Sequence, residues 1–317
     1  MSTHMSHLSG LISAPFTPMN PDGTINFSKV PDVVNLLIDN KVKGMFVCGS
    51  TGEGPSLTTE ERKQLAEAFV KAANKRLLVF VHVGHNSITE ARQLAAHAQQ
   101  IGADYISATP STYFKVDSID LLVQCLQEIS KGAPALPLYY YNIPALTGIS
   151  LDMVKLLEKA GQSIPTFAGI KYTAPLIHDY QACINFDSHK YDILYGTDEM
   201  LLGALATGAK GFIGSTYNFV APLYNALIEE FKKGNLAEAQ RLQYISVEMV
   251  RVIVKHGGLR AQKAMMKLIG LDCGNVRYPL NPFKEQEYKV LETDLRSIGF
   301  FDWICKPKEN KMSGVNL

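Results

Sequence analysis

Short apolar runs rich in β-branched and aromatic residues alternate with amphipathic runs from about residue 10 to about residue 235. That rhythm constrains the fold more than any other feature of the chain. The runs that read as strands are Leu11–Thr17, Gly44–Cys48, Leu77–Val83, Tyr105–Thr109, Leu136–Tyr141, Thr166–Lys171, Ile193–Gly196 and Gly211–Gly214. Between them the apolar period predicts helices, among them Thr59–Asn74, Ile88–Ile101 and Leu151–Ala160. Two of these open on a hydroxyl with a carboxylate three residues on, Thr58-Thr-Glu-Glu61 and Ser87-Ile-Thr-Glu90, the pattern of a capping box. A helix followed at once by an apolar strand implies parallel pairing through a right-handed crossover. Eight such units predict a closed (β/α)8 TIM barrel, an α/β fold whose usual size is about 250 residues. A doubly wound sheet is the competing arrangement, but no Gly-x-Gly-x-x-Gly follows the first strand, which weakens a dinucleotide-binding reading.

After about residue 235 the alternation stops. Leu236–His256, Leu259–Ile269 and Glu285–Ile298 are helical in pattern, interrupted by Gly257-Gly258 and by the Pro279/Pro282 stretch. Residues 236–300 are therefore expected as a helical C-terminal extension packed on a barrel of residues 10–235. Residues 1–9 read as a disordered lead and 301–317 as a tail, whose polar end Lys306–Leu317 is expected to fray. The stripe Tyr244/Val247/Met249/Val250/Ile253/Val254 reads as core or subunit-interface surface.

Charge narrows the function classes. With 31 Lys+Arg against 30 Asp+Glu, a net charge of +1 gives no field that favours nucleic acid or an anionic membrane. No apolar run reaches the roughly 18 residues that a membrane span requires, and the first residues lack the layout of a signal peptide. Cys48, Cys125, Cys183, Cys273 and Cys305 stand singly, with no C-x-x-C pair, as expected of reduced thiols in a cytoplasmic protein without a zinc site.

In a barrel of this kind the site lies where strands end and βα loops begin. Polar residues gather at those points: Gly49-Ser-Thr-Gly-Glu-Gly54, Tyr139-Tyr-Tyr-Asn-Ile-Pro144, Lys171-Tyr-Thr173, Gly196-Thr-Asp-Glu199 and Gly214-Ser-Thr-Tyr-Asn218. Lys171 is the one charge in the apolar run Thr166-Phe-Ala-Gly-Ile-Lys-Tyr-Thr173. A lysine held at the end of a buried strand loses hydration, its ammonium form is disfavoured, and the neutral amine can attack a ketone to form a Schiff base. Alternation places Phe167, Gly169, Lys171 and Thr173 on one face of the strand, with Ala168, Ile170 and Tyr172 on the other. Gly169 suits a crowded interior, so Lys171 is expected to point inward.

Gly49-Ser-Thr-Gly-Glu53 offers backbone N–H groups and two hydroxyls to a small carboxylate, and a plain capped turn is the bland reading of the same residues. Of the three tyrosines on strand five, alternation lets at most two face the interior. Buried tyrosines usually serve packing, but a phenol beside an iminium-forming lysine is a sensible proton shuttle. Asp198 and Glu199 are adjacent, and on an extended chain they face opposite ways, so they read as acceptors for substrate hydroxyls rather than as a hydrolase dyad or metal pair. Lys210 precedes strand eight and is expected at the opposite rim, which disfavours phosphate recognition there. His82 and His85, near the end of strand three, read as packing residues.

Gly49-Ser-Thr-Gly-Glu53, Tyr141-Asn-Ile-Pro-Ala-Leu-Thr-Gly148, Gly169-Ile-Lys171 and Gly214-Ser-Thr-Tyr-Asn218 together carry a resemblance over residues 10–300. The chain resembles the Schiff-base aldolase barrels of the dihydrodipicolinate synthase and N-acetylneuraminate lyase family. Within it the pattern is more similar to the lyase branch. Synthases carry Tyr-Asn-x-Pro-x-Arg-Thr-Gly, with an arginine to grip a carboxylate, and Leu146 stands in that place here with no donor to offer.

The resemblance implies pyruvate bound as an imine at Lys171, its carboxylate held by Ser50 and Thr51, with Tyr141 as general acid/base at the sugar C4 hydroxyl. It implies that Thr173, Gly196, Asp198, Glu199 and Ser215 hold a polyhydroxylated tail. Tyr113, in Thr109-Pro-Ser-Thr-Tyr113, is similar to the family aromatic that reaches a neighbouring subunit's site within a homotetramer. The implied reaction is reversible cleavage of sialic acid to N-acetylmannosamine and pyruvate, with no metal and no separate cofactor. Another 2-keto sugar acid aldolase or dehydratase, a dihydrodipicolinate synthase-like enzyme and a non-catalytic ligand-binding barrel stay open.

Overall fold

The computed structural model describes residues 7–307. Eight strands close into one parallel barrel: β1 Gly10–Ser13, β2 Gly44–Val47, β3 Leu78–His82, β4 Tyr105–Ala108, β5 Leu138–Asn142, β6 Phe167–Tyr172, β7 Asp192–Tyr195 and β8 Gly211–Gly214. The ring shuts where Gly10 to Ser13 run beside Gly211 to Gly214. The helices over the barrel region are α1 Val30–Asp39, α2 Thr59–Ala73, α3 Ile88–Gln100, α4 Ile119–Ser130, a single turn α5 Pro144–Thr147, α6 Met153–Ser163, α7 Ile177–Asn185, α8 Leu201–Ala206 and α9 Tyr217–Lys232. The expected closed barrel is therefore present, and strand bounds differ from the sequence reading by a few residues at most. The capping box at Thr58/Glu61 forms in full, while Ser87 caps by accepting the Glu90 N–H.

Two apolar layers follow from strand alternation. Leu11, Met45, Val47, Val79, Val81 and Tyr140 face the helices, whereas Ile12, Phe46, Phe80, Tyr139, Tyr141, Leu194 and Ile213 fill the barrel. Tyr139 and Tyr141 are thus the two inward tyrosines of strand five, with Tyr140 outward.

Strand β6 departs from strict alternation. The pairing Leu138 with Phe167 is followed by Tyr139 with Gly169, so an extra residue is accommodated there as a bulge. Ala168 consequently joins the barrel interior and Phe167 packs outward against Tyr191, with ring centroids 5.9 Å apart. The expectation that Phe167 shares the Lys171 face, and Ala168 the Ile170/Tyr172 face, is corrected by this bulge. Gly169 is needed because β7 passes so close: a Cβ there would lie 1.8 Å from the Asp192 carbonyl oxygen.

Helices α10 Leu236–Lys255, α11 Leu259–Leu268 and α12 Glu285–Ser297 follow, with α10 against α9, α8 and the turn at residues 198–200. The start of the tail docks on α9. Phe300 packs on Phe219, Cys305 is fully buried, and its N–H donates to the Phe219 carbonyl at 2.7 Å. Phe301, Trp303, Ile304 and Cys305 supply the apolar burial for this docking, ahead of the polar end that begins at Lys306. Residues 1–6 of the expected lead and 308–317 of the expected tail lie outside the described residues, while the Leu8 N–H donates to Asp192 at 3.3 Å.

Candidate active site at the barrel mouth

Lys171 sits near the C-terminal end of β6, inside the barrel and only 4% exposed. Its Nζ lies 4.0 Å from the ring centroids of both Phe46 and Tyr141. Among the described residues it forms no ion pair. Burial pulls its pKa down to about 7, with Asp198 nearby acting in the opposite sense. Aromatic faces stabilise a cation far less than water does, which leaves this amine readily deprotonated.

Tyr141 reaches the site from β5, directly beside Lys171 in the sheet register. Burial pushes its phenol up to about 12, and Ser50 and Thr173 next to its hydroxyl act the other way. His82, from the end of β3, stacks on Phe46 at 5.8 Å and meets the Tyr141 ring edge-to-face at 5.6 Å. Burial first, then the charges of Arg62 and Lys171, hold its imidazole well below the usual histidine range, so it contributes a neutral wall.

Ser50 and Thr51 lie half-buried in the turn after β2. That turn is closed by Gly54 N–H to the Gly49 carbonyl and Glu53 N–H to the Ser50 carbonyl, each 3.0 Å. Two non-glycine residues bracket it in the left-handed region, Cys48 at φ +61° and Glu53 at φ +56°. Glu53 is anchored from the far side: Lys263 of α11 donates to one carboxylate oxygen at 2.7 Å, and the Arg277 N–H donates to the other at 2.7 Å. The C-terminal helices thereby fix the shape of the hydroxyl-bearing turn.

Asp198 and Glu199 sit on a 3-10 turn, Asp198–Met200, instead of on extended chain. The expectation of an extended pair pointing opposite ways is corrected: the turn sends Asp198 into the interior and leaves Glu199 half-buried. Burial raises both carboxyl pKa values. Asp198 Oδ2 accepts from Thr216 N–H at 3.0 Å and Thr216 Oγ1 at 2.6 Å. Asp198 Oδ1, Thr173 Oγ1 and His82 Nδ1 are buried with no hydrogen-bond partner. Each such orphan costs about 1–3 kcal/mol, which a ligand hydroxyl would repay.

Glycines create the necessary room. A Cβ on Gly196 would lie 2.0 Å from Thr173 Oγ1, and one on Gly214 would lie 1.8 Å from Asp198 Oδ1. Ser215 is half-buried on the loop after β8. Lys171, Tyr141, Ser50, Thr51, Thr173, Gly196, Asp198, Glu199 and Ser215 thus all lie at the strand ends of one barrel face. Tyr113 is different: it follows β4, is 79% exposed, and its ring contact is Phe114. Lys210 lines the opposite rim with His7 and Asp192. Among the described residues, no three His, Cys, Asp or Glu side chains stand together as a metal-ligand set.

Sequence reasoning overlooked Phe46, the role of His82, Thr216 and the Glu53–Lys263 pair. Period-two alternation in β2 and β3 could have turned Phe46 and His82 inward. Lys263 carries a weaker signal, as it follows Leu259 by four and precedes Met266 by three, within the apolar stripe of its helix.

The known proteins this chain is similar to share this architecture. The profile of the dihydrodipicolinate synthetase family matches residues 7–298. N-acetylneuraminate lyase of Gallus gallus is 40% identical over 301 residues, covering 93% of this chain and 98% of that protein. The solved structure of Proteus mirabilis N-acetylneuraminate lyase superposes with a TM-score of 0.91 at 37% identity, covering 93% of this chain and 100% of that one. N-acetylneuraminate lyase (sialic acid aldolase) from Aliivibrio salmonicida also gives 0.91 at 37% identity, covering 93% and 98%. The family profile spans nearly the whole described chain, and the chain belongs to the dihydrodipicolinate synthetase family.

Proposed function

We propose that this protein is an N-acetylneuraminate lyase, a carbon–carbon lyase that cleaves N-acetylneuraminate reversibly to N-acetylmannosamine and pyruvate through a Schiff base on Lys171. The observation that carries the reading is the unpaired, buried Lys171 amine, 4.0 Å from the Tyr141 ring, with its pKa brought down to about 7. Near neutral pH a large fraction of such an amine is free to attack the C2 ketone of the open-chain sugar acid. Loss of water from the carbinolamine yields the iminium. Tyr141 then takes the C4 hydroxyl proton, the C3–C4 bond breaks, and its electron pair flows into the iminium to give the enamine. N-acetylmannosamine leaves as the aldehyde. Protonation at C3 and addition of water return pyruvate and the lysine amine. A phenol pushed up to about 12 by burial is a weak acid, but a cationic iminium against its ring favours the phenolate when the base is needed.

Ser50 and Thr51 hold the carboxylate, a role supported by the tight turn anchored through Glu53. Thr173, Asp198, Glu199 and Ser215 take the hydroxylated tail, and Gly196 makes room for Thr173. The orphaned Thr173 Oγ1 and Asp198 Oδ1 support this assignment. Leu146, 66% exposed on α5, offers nothing to a second carboxylate, which favours a hydroxyl-rich substrate over one carrying two acid groups. We further propose a homotetramer in which Tyr113 reaches a neighbouring site, consistent with its 79% exposure, and a cytoplasmic location. No helix among the described residues is long and apolar enough to cross a membrane. The chemistry needs no cofactor beyond the lysine itself.

Borohydride reduction in the presence of pyruvate, followed by peptide mass spectrometry, tests the covalent step: the adduct is expected on the peptide containing Lys171. A panel of 2-keto sugar acids, scored by pyruvate release, separates this lyase from related aldolases. An adduct without turnover of any of them would favour a binding barrel.

A further inference from the structure

Asp198 is the end of a buried chain of hydroxyl groups that leads away from the site. Thr216 Oγ1, 2.6 Å from Asp198 Oδ2, lies 2.8 Å from the Tyr224 hydroxyl of α9, which lies 2.8 Å from Ser246 Oγ of α10. Asp198 is 6% exposed, Thr216 2%, and Tyr224 and Ser246 are fully buried. Each hydroxyl has one proton to give, and an ionised carboxylate only accepts. Thr216 Oγ1 is within donating reach of both Asp198 Oδ2 and the Tyr224 hydroxyl, and between Tyr224 and Ser246 either hydroxyl can donate. The chain links the carboxyl at its end, through side chains alone, to helices α9 and α10.

The same face of α10 also holds the backbone around Asp198. Gln243, three residues before Ser246, accepts the Leu202 N–H at 2.7 Å, and its Nε2 lies 3.5 Å from the Asp198 carbonyl. Asp198 Oδ1 is left without a partner, in the space that only a glycine at 214 allows. Thr216 holds Oδ2 and the Tyr217 hydroxyl stands beside the same carboxyl, which leaves Oδ1 as the oxygen open to a ligand.

We propose that Tyr224 and Ser246 are positioning residues for Asp198, holding its free oxygen toward the hydroxylated tail of the substrate and so setting specificity for that tail while leaving pyruvate capture alone. The inference rests on the lyase reading for the identity of the ligand. Neither residue touches substrate; both act through Thr216 and Asp198.

The test uses the full-length protein with Tyr224→Phe, Ser246→Ala and the pair Thr216→Val and Thr216→Ser. KM for N-acetylneuraminate is expected to rise about 3- to 10-fold in Tyr224→Phe and Ser246→Ala, the worth of one hydrogen bond. It is expected to rise further in Thr216→Val and to return toward wild type in Thr216→Ser. Half-saturation of borohydride trapping by pyruvate alone is expected to stay within about 2-fold, because that ligand has no tail. A 2-keto sugar acid with a shorter hydroxylated tail is expected to lose its disadvantage against the full acid. Equal losses for pyruvate trapping and for both substrates would mean general loosening and would overturn the proposal, as would an unchanged KM. Crystal structures of Tyr224→Phe and Ser246→Ala give an arm independent of activity: Asp198 is expected to rotate or split, and an unmoved carboxylate overturns the proposal. A wild-type protein that releases no pyruvate from the acid strikes the lyase reading instead, and the crystal arm still decides the positioning claim.

Discussion

Two lysines are buried among the described residues, and their surroundings give them opposite tasks. Lys171 is 4% exposed, and its amine lies between the Phe46 and Tyr141 rings with no carboxylate in ion-pair contact among the described residues. Lys263 is 1% exposed, but its amine meets Glu53 at 2.7 Å and the Asn275 carbonyl at 2.8 Å. Burial lowers the pKa of both. What differs is the partner. Glu53 keeps Lys263 a cation and a tether, whereas Lys171 is left free to shed its proton. A buried lysine is thus catalytic or structural according to which groups replace its lost water, not according to depth alone.

The largest expected effect separates the two outright. Lys171→Ala abolishes borohydride trapping of pyruvate and turnover, while Lys263→Met keeps an adduct on Lys171, both read by mass spectrometry. Persistent trapping in Lys171→Ala would erase the distinction. Next, Tyr141→Phe lowers kcat by roughly 10²–10⁴, the usual worth of a positioned acid or base. A near-normal kcat would reduce Tyr141 to an aromatic wall like Phe46.

Stability sharpens the contrast because the sign differs. Lys263→Met leaves Glu53 buried without its cation and is expected to cost about 3–5 kcal/mol in denaturant unfolding. The hydroxyl-bearing turn anchored by Glu53 loosens with it, so KM for the sugar acid rises. Lys171→Met has the opposite sign, stabilising the fold at neutral pH by an amount on the order of a few kcal/mol. The folded-state pKa of about 7 lies below the ordinary lysine value of 10.5, so the unfolded chain binds more protons between those values. The stabilising effect of Lys171→Met is therefore full below pH 7, shrinks as pH rises to 10.5, and vanishes above it. Equal destabilisation by both substitutions would break the comparison.

Much of this was legible in the chain itself, for reasons that differ by residue. Tyr139 and Tyr141 turn inward and Tyr140 outward because period-two alternation holds along β5. The same rule misplaces Phe167 and Ala168, since the bulge in β6 is set by how that strand pairs with β5, which local sequence does not express. Lys171 stands out as a charge in an apolar strand, where a lysine has no room to reach water. Lys263 is inconspicuous because a helical lysine usually extends its charge to the surface, and only the tertiary approach of Glu53, 210 residues away in sequence, prevents it. Asp198 reads as a ligand group from its place after strand seven, but its turn geometry and its hydroxyl chain through Tyr224 and Ser246 join segments far apart in sequence.

The rate at which pyruvate becomes attached to Lys171, followed across pH by quenching with borohydride, tests most directly whether this amine is neutral near physiological pH. The rate is expected to rise through a pKa near 7 and level off above it, as for an amine stripped of water between two rings. A rate still climbing toward pH 10.5, the behaviour of a solvated lysine, would contradict that assignment.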